Sequence, residues 1–475
     1  MKITDYLEQN YNVDKNIVSN WSKYTNLWNS WYQGKVSSFH DYKIYNGRKH
    51  IHKTKLSLQM AKKVCEDWAD ILFNDRVKIE LDNEGRTGQL FDVLQGLDFW
   101  HFMNASVERS GSIGTGAVIV SVGNIDVTDD EIVSFESATT NLDYIDVNNI
   151  YPISWNNGSI TECAFVSKRL IKGQFYVLLT VHRFNEVGNM VIDNVVFAAT
   201  NNDDLEIADD MLEELNIFES YDTGSPLRWF AILKPAGTNN INPELPFGLP
   251  YFSQAIDVLQ RIDETFDSMQ NEIQLGRKRI FVRDSMLYTD ETTGESREIF
   301  DTNDVSIYLL PKGFNGKDLL QSESSSLRVQ ELTADLQSSL SMLGDKCGFG
   351  VQYYQLDPAG QVREIGILTQ NSKLIRRKKK HEIVLESALF DIVSAVLYTQ
   401  NINADGLKIT FDDKIIDDED KRREKALMEV SQGIMSKAEY RVAFYGEDIE
   451  VAKEKVADVY QDNEINFDFT ANLGD

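Results

Sequence analysis

The sequence predicts an α+β fold in more than one domain, and three observations carry that expectation. Amphipathic helical segments open the chain, alternating segments dominate from about residue 113 to 235, and two long helical stretches then enclose a short β-rich excursion. A length of 475 residues supplies two or three domains with ample material for a core. Hydrophobic residues make up 42% and aromatic residues 11%, too many for a disordered chain.

The elements follow in order. Trp21, Tyr24, Leu27, Trp28 and Trp31 recur at spacings of three and four, a helix with an aromatic face that serves as core or docking surface. Ser57 is expected to cap "SLQMAKKVCEDWADILF", which places Leu58, Ala61, Cys65, Trp68 and Leu72 on one face. "RVKIEL" follows as a strand. "GAVIVSVG", "ITECAFVSKRLI", "QFYVLLTVHRF" and "LRWFAILKP" alternate between Gly, Asn and Asp turns, a mostly antiparallel region.

The Pro and Gly cluster "INPELPFGLP" then changes the texture. From Tyr251 a long helix carries Phe252, Ile256, Leu259, Ile262, Phe266, Met269 and Ile273 at a near-heptad spacing that suits helix against helix. It ends in Arg277, Lys278 and Arg279, whose bland role is a favourable charge at a helix C-terminus. "RIFVRD" and "VSIYLLP" follow as strands joined by the acidic turn "TDETTGESRE". After "SESSS" a second helix carries Leu327, Leu332, Leu336, Leu340 and Leu343. "GFGVQYYQLDPAGQVRE" is then a loop or hairpin, and a helix covers about 363 to 400. The tail begins with the strand "LKITF" and continues as two or three short helices, strongly acidic.

Charge poses the main puzzle. Asp and Glu number 75 against 48 Lys and Arg, a net charge of −27, which argues against ordinary DNA binding through a basic surface. Yet "LIRRKKKHE" (374 to 382) holds five cations in a row, Arg376 to Lys380. Consecutive helical residues point about 100° apart, so five wrap the whole circumference and cannot all face one partner. The apolar stripe of Ile367, Leu374, Leu385, Leu389, Ile392 and Val396 is filled between by Lys378 and His381. The run is either a solvated face or a face that meets something acidic.

Catalytic motifs are scarce. "GSIGTGAVIV" (111 to 120) precedes a strand where a nucleotide loop would follow one, and it lacks the GK[ST] element, so a tight turn is expected. "DDKIIDDED" lacks the ligand order and central glycine of a calcium loop. Among the histidines (40, 50, 52, 101, 182 and 381) the close pair His50 and His52 lacks the helical spacing of a zinc site. There is no GxSxG, and Cys347 has no evident His partner. No catalytic, metal or cofactor residue is therefore expected. Cys65, Cys163 and Cys347 read as reduced packing cysteines. The start shows no secretory leader, and "ALFDIVSAVLYTQ" is too short and too polar for a membrane span, so no membrane partner is expected.

Three stretches carry a resemblance: "SLQMAKKVCEDWADILFNDRVKIE" (57 to 80), "LTQNSKLIRRKKKHEIVLESAL" (368 to 389), and "ITFDDKIIDDED" with "EVSQGIMSKAEYRVAFYGEDIEVAKEKVADV". With the helix, β excursion, helix unit between them, the chain resembles the portal proteins of tailed bacteriophages, of the type found in long-tailed phages of Gram-positive hosts. It departs from them before "NSK", where relatives often carry a Thr-Ala-Thr-Glu-like segment and this chain has Arg363, Glu364, Ile365 and Gly366.

The resemblance implies a ring, typically of twelve subunits, at one capsid vertex of the virion, assembled in the host cytoplasm, through which double-stranded DNA is packaged and ejected. It implies the terminase large subunit, a head–tail adaptor, and the major capsid and scaffolding proteins as partners. The portal fold would divide the chain into an α/β wing (1–250), stem helix (251–278), clip (279–320), second stem helix (321–345), wing continuation with tunnel loop and kinked helix (346–402) and helical crown (403–475). Tyr353, Tyr354, Gln355, Asp357, Gln361 and Arg363 would form the DNA-facing tunnel loop. Lys373, Arg376, Arg377, Lys378, Lys379 and Lys380 would meet neighbouring subunits or DNA. Arg277, Lys278, Arg279 and Arg283 at the stem–clip junction would meet DNA or the motor. The competing classes are a phage-associated nuclease or hydrolase and a monomeric head–tail protein.

Overall fold

The computed structural model describes the chain except residues 1, 46–48, 75–76, 129–130, 136–137, 200–204, 209, 216, 276–278, 284–287, 290–295, 298–305, 311–319, 324–326, 356–371, 412–418 and 458–475. It divides into two compact units, one of residues 1–360 and 376–411 and one of 361–375 and 412–475. Helix and sheet are mixed, as the sequence predicts.

In the first unit the aromatic helix is Asn16–Tyr32 and buries Trp21, Trp28 and Trp31. Trp21 stacks on Phe247, whose Pro and Gly rich neighbourhood is thereby tied to the N-terminal helix. The helix expected to start at Ser57 begins instead at Met60, with Gln59 in the left-handed region at φ 55°. The reason lies on another element. Asp263 accepts both the Ser57 hydroxyl (2.9 Å) and the Leu58 N–H (2.8 Å), which pins these two residues to that helix, while the Ser57 oxygen accepts the Gln59 N–H (3.1 Å) in a local turn ahead of Met60.

Two helices went unsignalled by periodicity. Glu84–Gly96 contains three glycines, which lower its propensity, although Asn83 caps it by accepting from the Arg86 N–H at 3.2 Å. Phe99–Ile113 buries Phe99, Met103, Val107 and Ile113, a helical stripe that runs directly into the β region. Glycines then make the turn: Gly114 has φ 87°, and a Cβ on it would lie 2.5 Å from the Gly248 carbonyl oxygen. "GSIGTGAVIV" is therefore a helix end, a tight turn and a strand.

The β region forms two sheets. An eight-stranded sheet runs in the spatial order Asp126–Thr128, Glu131–Ser134, Ser220–Asp222, Met190–Ala199, Gln174–Phe184, Ser159–Ile171, Ile150–Asn156, with Leu205–Ile207 also paired to Met190–Ala199. Nearly all its pairings are antiparallel; Ser220–Asp222 beside Glu131–Ser134 is parallel. One face buries Ala164, Val166, Val177, Leu179, Val181 and Phe197 under Leu7 and Val13. The second sheet places Gly116–Gly123 between Phe230–Leu233 and Thr139–Asp146, all antiparallel.

The long helix begins at Ile256, after a 3₁₀ turn at Ser253–Ala255, and ends at Leu275. Its partner is Val329–Cys347. Three ties at nearly constant residue sum show that they pack antiparallel: Lys346 Nζ donates to the Gln254 carbonyl (3.0 Å), Arg261 pairs with Asp335, and Arg328 pairs with Glu272 (3.1 Å). Between them lies a three-stranded sheet in which Arg279–Arg283 runs parallel to Ser306–Leu310 and antiparallel to Leu320–Glu323. The acidic turn of the sequence reading contributes its own small hairpin, Tyr288–Thr289 with Ser296–Arg297.

The strand "LKITF" is Lys408–Thr410, and it pairs with Lys78–Glu80 in the first unit. It therefore belongs to the first unit, whereas the crown was expected to start at residue 403. The second unit holds the helices Glu419–Ser431 and Lys437–Tyr445. Ser436 and Glu439 form a reciprocal capping box on the latter.

Candidate functional site

The base of the two long helices meets the helix Ser372–Thr399 around one ring cluster. Trp68 is fully buried and lies with ring centroids 5.6 Å from Tyr251, 4.8 Å from Phe349 and 4.8 Å from His381. Its indole N–H donates to the Cys347 carbonyl at 3.1 Å, satisfying a carbonyl that the ending helix leaves open. Tyr251 is held from the other side, because a Cβ on Gly111 would lie 2.1 Å from its ring.

His381 is the polar member of the cluster. Its Nδ1 accepts the Ala236 backbone N–H at 2.9 Å, which requires a neutral ring at that nitrogen. Burial, with Arg377 and Lys380 close by, lowers its pKa to about 3. Arg377 itself packs along Gly348, where a Cβ would come within 2.9 Å of its side chain. It sits at the C-terminal end of Val329–Cys347, where a cation complements the helix dipole. Cys347 and Cys65 are buried thiols whose pKa rises, that of Cys347 to about 12, so both stay protonated and serve packing.

The basic run resolves unevenly. Lys373, Arg376, Arg377, Lys379 and Lys380 are exposed. Lys378 is not: it is 1% exposed and pairs with Glu382 at 2.6 Å one turn along the same helix. The expectation that Lys378 faces a neighbouring subunit or DNA is corrected, because its ammonium is satisfied inside its own chain. The apolar stripe is thus filled at this point by a buried ion pair and a neutral histidine. The sequence signal was their position on the stripe.

The segment after Val329–Cys347 turns on Gly348 and Gly350, at φ 96° and 103°. The Gly344 carbonyl accepts from the N–H groups of Gly348, Phe349 and Gly350, and Gly344 has no room for a side chain because the Gly350 oxygen lies 2.4 Å from where its Cβ would be. Tyr354 was expected to face DNA and does not. It is buried, its hydroxyl donates to Asp67 at 2.8 Å, and its carbonyl accepts from Gln337 at 3.0 Å. Burial and the Asp67 carboxylate push its pKa well up, so it remains a neutral donor. Tyr353 stacks on Phe349 at 4.4 Å and is 41% exposed, and Gln355 is exposed. Asp357, Gln361 and Arg363 lie outside the described residues, as do Arg277 and Lys278. Arg279 stands opposite Ser306 and Glu323, and Arg283 opposite Leu310.

A concavity of about 620 Å³ is an open groove that includes Tyr32, Arg109, Asp143, Tyr144, Lys168 and Arg169. No group of three or more His, Cys, Asp or Glu among the described residues could hold a metal. No helix is long and apolar enough to cross a membrane, again among the described residues.

A family model described as "Phage portal protein, SPP1 Gp6-like" matches residues 14–442. The chain belongs to this phage portal protein family. Its function is accordingly that of a portal, a structural component of the virion in which head and tail are connected. Among solved structures, a chain from the "Neck of native GTA particle computed with C12 symmetry" is similar at 10% identity with a TM-score of 0.38, over 81% of this chain and 88% of that one. No curated protein matches. The ring cluster joins the helix Met60–Leu72, the turns that flank the two long helices and the basic helix through desolvated contacts.

Proposed function

We propose that the chain is one subunit of a closed twelve-membered ring at a single capsid vertex, the conduit for double-stranded DNA during packaging and ejection. The type is that of long-tailed phages of Gram-positive hosts. The observation that carries the reading is the antiparallel pair Ile256–Leu275 and Val329–Cys347, enclosing a small sheet, inside a chain of the portal family. These helices are the stem, the strands between them are the clip, and residues 1–250 with 346–411 are the wing. The segment from 412 onward is the crown, and the residues after Phe349 begin the tunnel loop. The terminase large subunit and the head–tail adaptor dock on the ring, and the major capsid and scaffolding proteins surround it.

Net charge supports a conduit. A wall that gripped phosphates would release counterions at every step and hold the DNA, whereas the charge of −27 repels it and leaves it free to slide. The exposed cations Lys373, Arg376, Lys379 and Lys380 meet acidic surfaces of adjacent subunits, a contact repeated around the ring. The native mass of the purified protein, with negative-stain images, tests the reading. A ring near twelve copies with a hole wider than a duplex is expected. A persistent monomer that cleaves plasmid DNA with a divalent metal would replace it with the enzyme reading.

A further inference from the structure

One element of the first unit is firmly mounted and barely covered. The strands Asp41–Tyr45 and His50–Thr54 form a two-stranded antiparallel sheet with no third strand among the described residues. Nine of their ten residues are exposed, Tyr42 being the exception. Ile44 and Ile51 pair across the strands on one face, each 38% exposed, and Tyr45 is 60% exposed. A lone two-stranded hairpin is marginal in water, so one that leaves its apolar cross-strand pair open gains by docking.

The mounting is the opposite of the body. Just before the first strand, the His40 ring, 1% exposed, contacts Asp263 at 3.1 Å. Just after the second, Asp263 accepts the Ser57 hydroxyl (2.9 Å) and the Leu58 N–H (2.8 Å), and Asp267 accepts the Leu56 N–H at 3.1 Å. Lys55 pairs with Glu264 at 3.2 Å and lies over the Phe39 ring. Both ends of the hairpin are therefore held to consecutive turns of the helix Ile256–Leu275, and the hairpin leaves that helix with a fixed direction.

Its charge opposes that of the chain. Lys43 and Lys53 stand against Asp41, whose carboxylate already accepts from Thr54 at 2.7 Å, in a protein with 75 acidic and 48 basic residues. We infer that this hairpin is an assembly arm that docks on an acidic surface of a second copy of the chain and buries the Ile44–Ile51 pair. The inference rests on the ring reading above. In a ring each subunit gives one arm and receives one, a head-to-tail contact that closes on itself. Attraction between the basic arm and an acidic neighbour sets the direction of approach, and the isoleucine pair supplies the water exclusion.

The test uses the full chain with two double variants, Ile44→Ser with Ile51→Ser and Lys43→Glu with Lys53→Glu. Native mass is measured against protein concentration and salt, and amide hydrogen exchange of residues 41–54 is measured in ring and in monomer. The thermal midpoint of each diluted monomer serves as the folding control, and because the arm is uncovered in the monomer it should stay at the wild-type value. Each variant is expected to raise the concentration for half assembly by at least about tenfold, as for the loss of one well-buried apolar contact per interface. The hairpin amides should exchange more slowly in the ring than in the monomer. A wild-type ring whose hairpin exchanges as fast as in the monomer, or variants that assemble as the wild type does, would overturn this inference alone. A wild-type chain that never assembles overturns the ring reading and takes this inference with it.

Discussion

Replacing Lys378 by Met keeps the length of the side chain and removes its charge, which isolates the electrostatic part of the buried pair. Lys378 is 1% exposed in its side chain and Glu382 12%, with Nζ and Oε1 2.6 Å apart. Removing the lysine charge leaves a carboxylate desolvated beside it, and breaking a buried pair on one side costs about 3 to 5 kcal/mol. Adding Glu382→Leu removes the orphan charge as well, so the double variant should regain most of that loss, because a buried pair and an apolar replacement come out nearly even. The expected coupling in the double-mutant cycle is then at least about 2 kcal/mol.

Lys379→Met is the control, one residue further and exposed, with an expected change within about 0.5 kcal/mol. Urea unfolding followed by tryptophan fluorescence measures all five proteins, the four of the cycle, Glu382→Leu alone included, and the control, since Trp68 lies 4.8 Å from His381 on the same helix and reports its loss. If Lys378→Met and Lys379→Met shift the midpoint equally, the pair does not organise this helix and the argument from burial is wrong.

Other outcomes follow from the same geometry. His381 and His182 both have folded pKa values near 3, below the ordinary 6.5, so the unfolded chain takes up their protons first. Stability is full above pH 6.5 and falls toward pH 3, by about 2 kcal/mol per histidine at pH 5. His381→Gln, which keeps an acceptor for the Ala236 N–H, should flatten the pH dependence of the unfolding midpoint between 6.5 and 4.5; an unchanged slope would contradict the neutral-ring assignment. Gly111→Ala would drive a methyl into the Tyr251 ring, and thermal unfolding should register a loss of about 1 to 3 kcal/mol. Tyr354→Phe deletes the hydrogen bond to Asp67 and should cost about 1.5 to 3 kcal/mol locally, read as faster hydrogen exchange at Phe349 to Tyr353.

Much of the order of elements was legible, because long amphipathic helices and alternating strands advertise their period. The heptad-like spacing from Phe252 to Ile273 and the leucines from Leu332 to Leu343 named both long helices correctly, and the structure adds only their antiparallel ties. What failed was whatever depended on a distant partner. Ser57 has the chemistry of a helix cap, but Asp263, 206 residues away, anchors its hydroxyl and the Leu58 N–H, and the helix starts only at Met60. "RIFVRD" and "VSIYLLP" read as strands, but neither their parallel pairing nor the third strand Leu320–Glu323 on the other edge of the first has a periodic signal in the sequence. Tyr354 looked like a loop aromatic, and a carboxylate on the helix Met60–Leu72 made it a buried strut. The exposed hairpin 41–54 escaped notice because its strands have no burial pattern to print on the sequence.

The burial of a lysine in the basic run is a consequence of the helix rather than an accident of packing. Five successive cations at about 100° intervals leave no side of a helix without one, so a helix that lies on a core must bury at least one of them. Leu374, Lys378, His381 and Leu385 follow one another at spacings of four, three and four, and all four are buried. The carboxylate that a buried ammonium needs must come from a residue that shares its face, and Glu382 at i+4 is the nearest such position on the C-terminal side. His381, adjacent to it and close to Arg377 and Lys380, can share that face only as a neutral ring, which its acceptor bond to Ala236 enforces. Arg377 is committed in turn to the end of the helix Val329–Cys347, at Gly348. Of the five, Lys378 is paired within its own helix and Arg377 packs at Gly348, whereas Arg376, Lys379 and Lys380 are exposed. A substitution series along the run should accordingly split in two: the inner positions should change the stability of the single chain, and the outer ones should change only the salt dependence with which copies of it assemble.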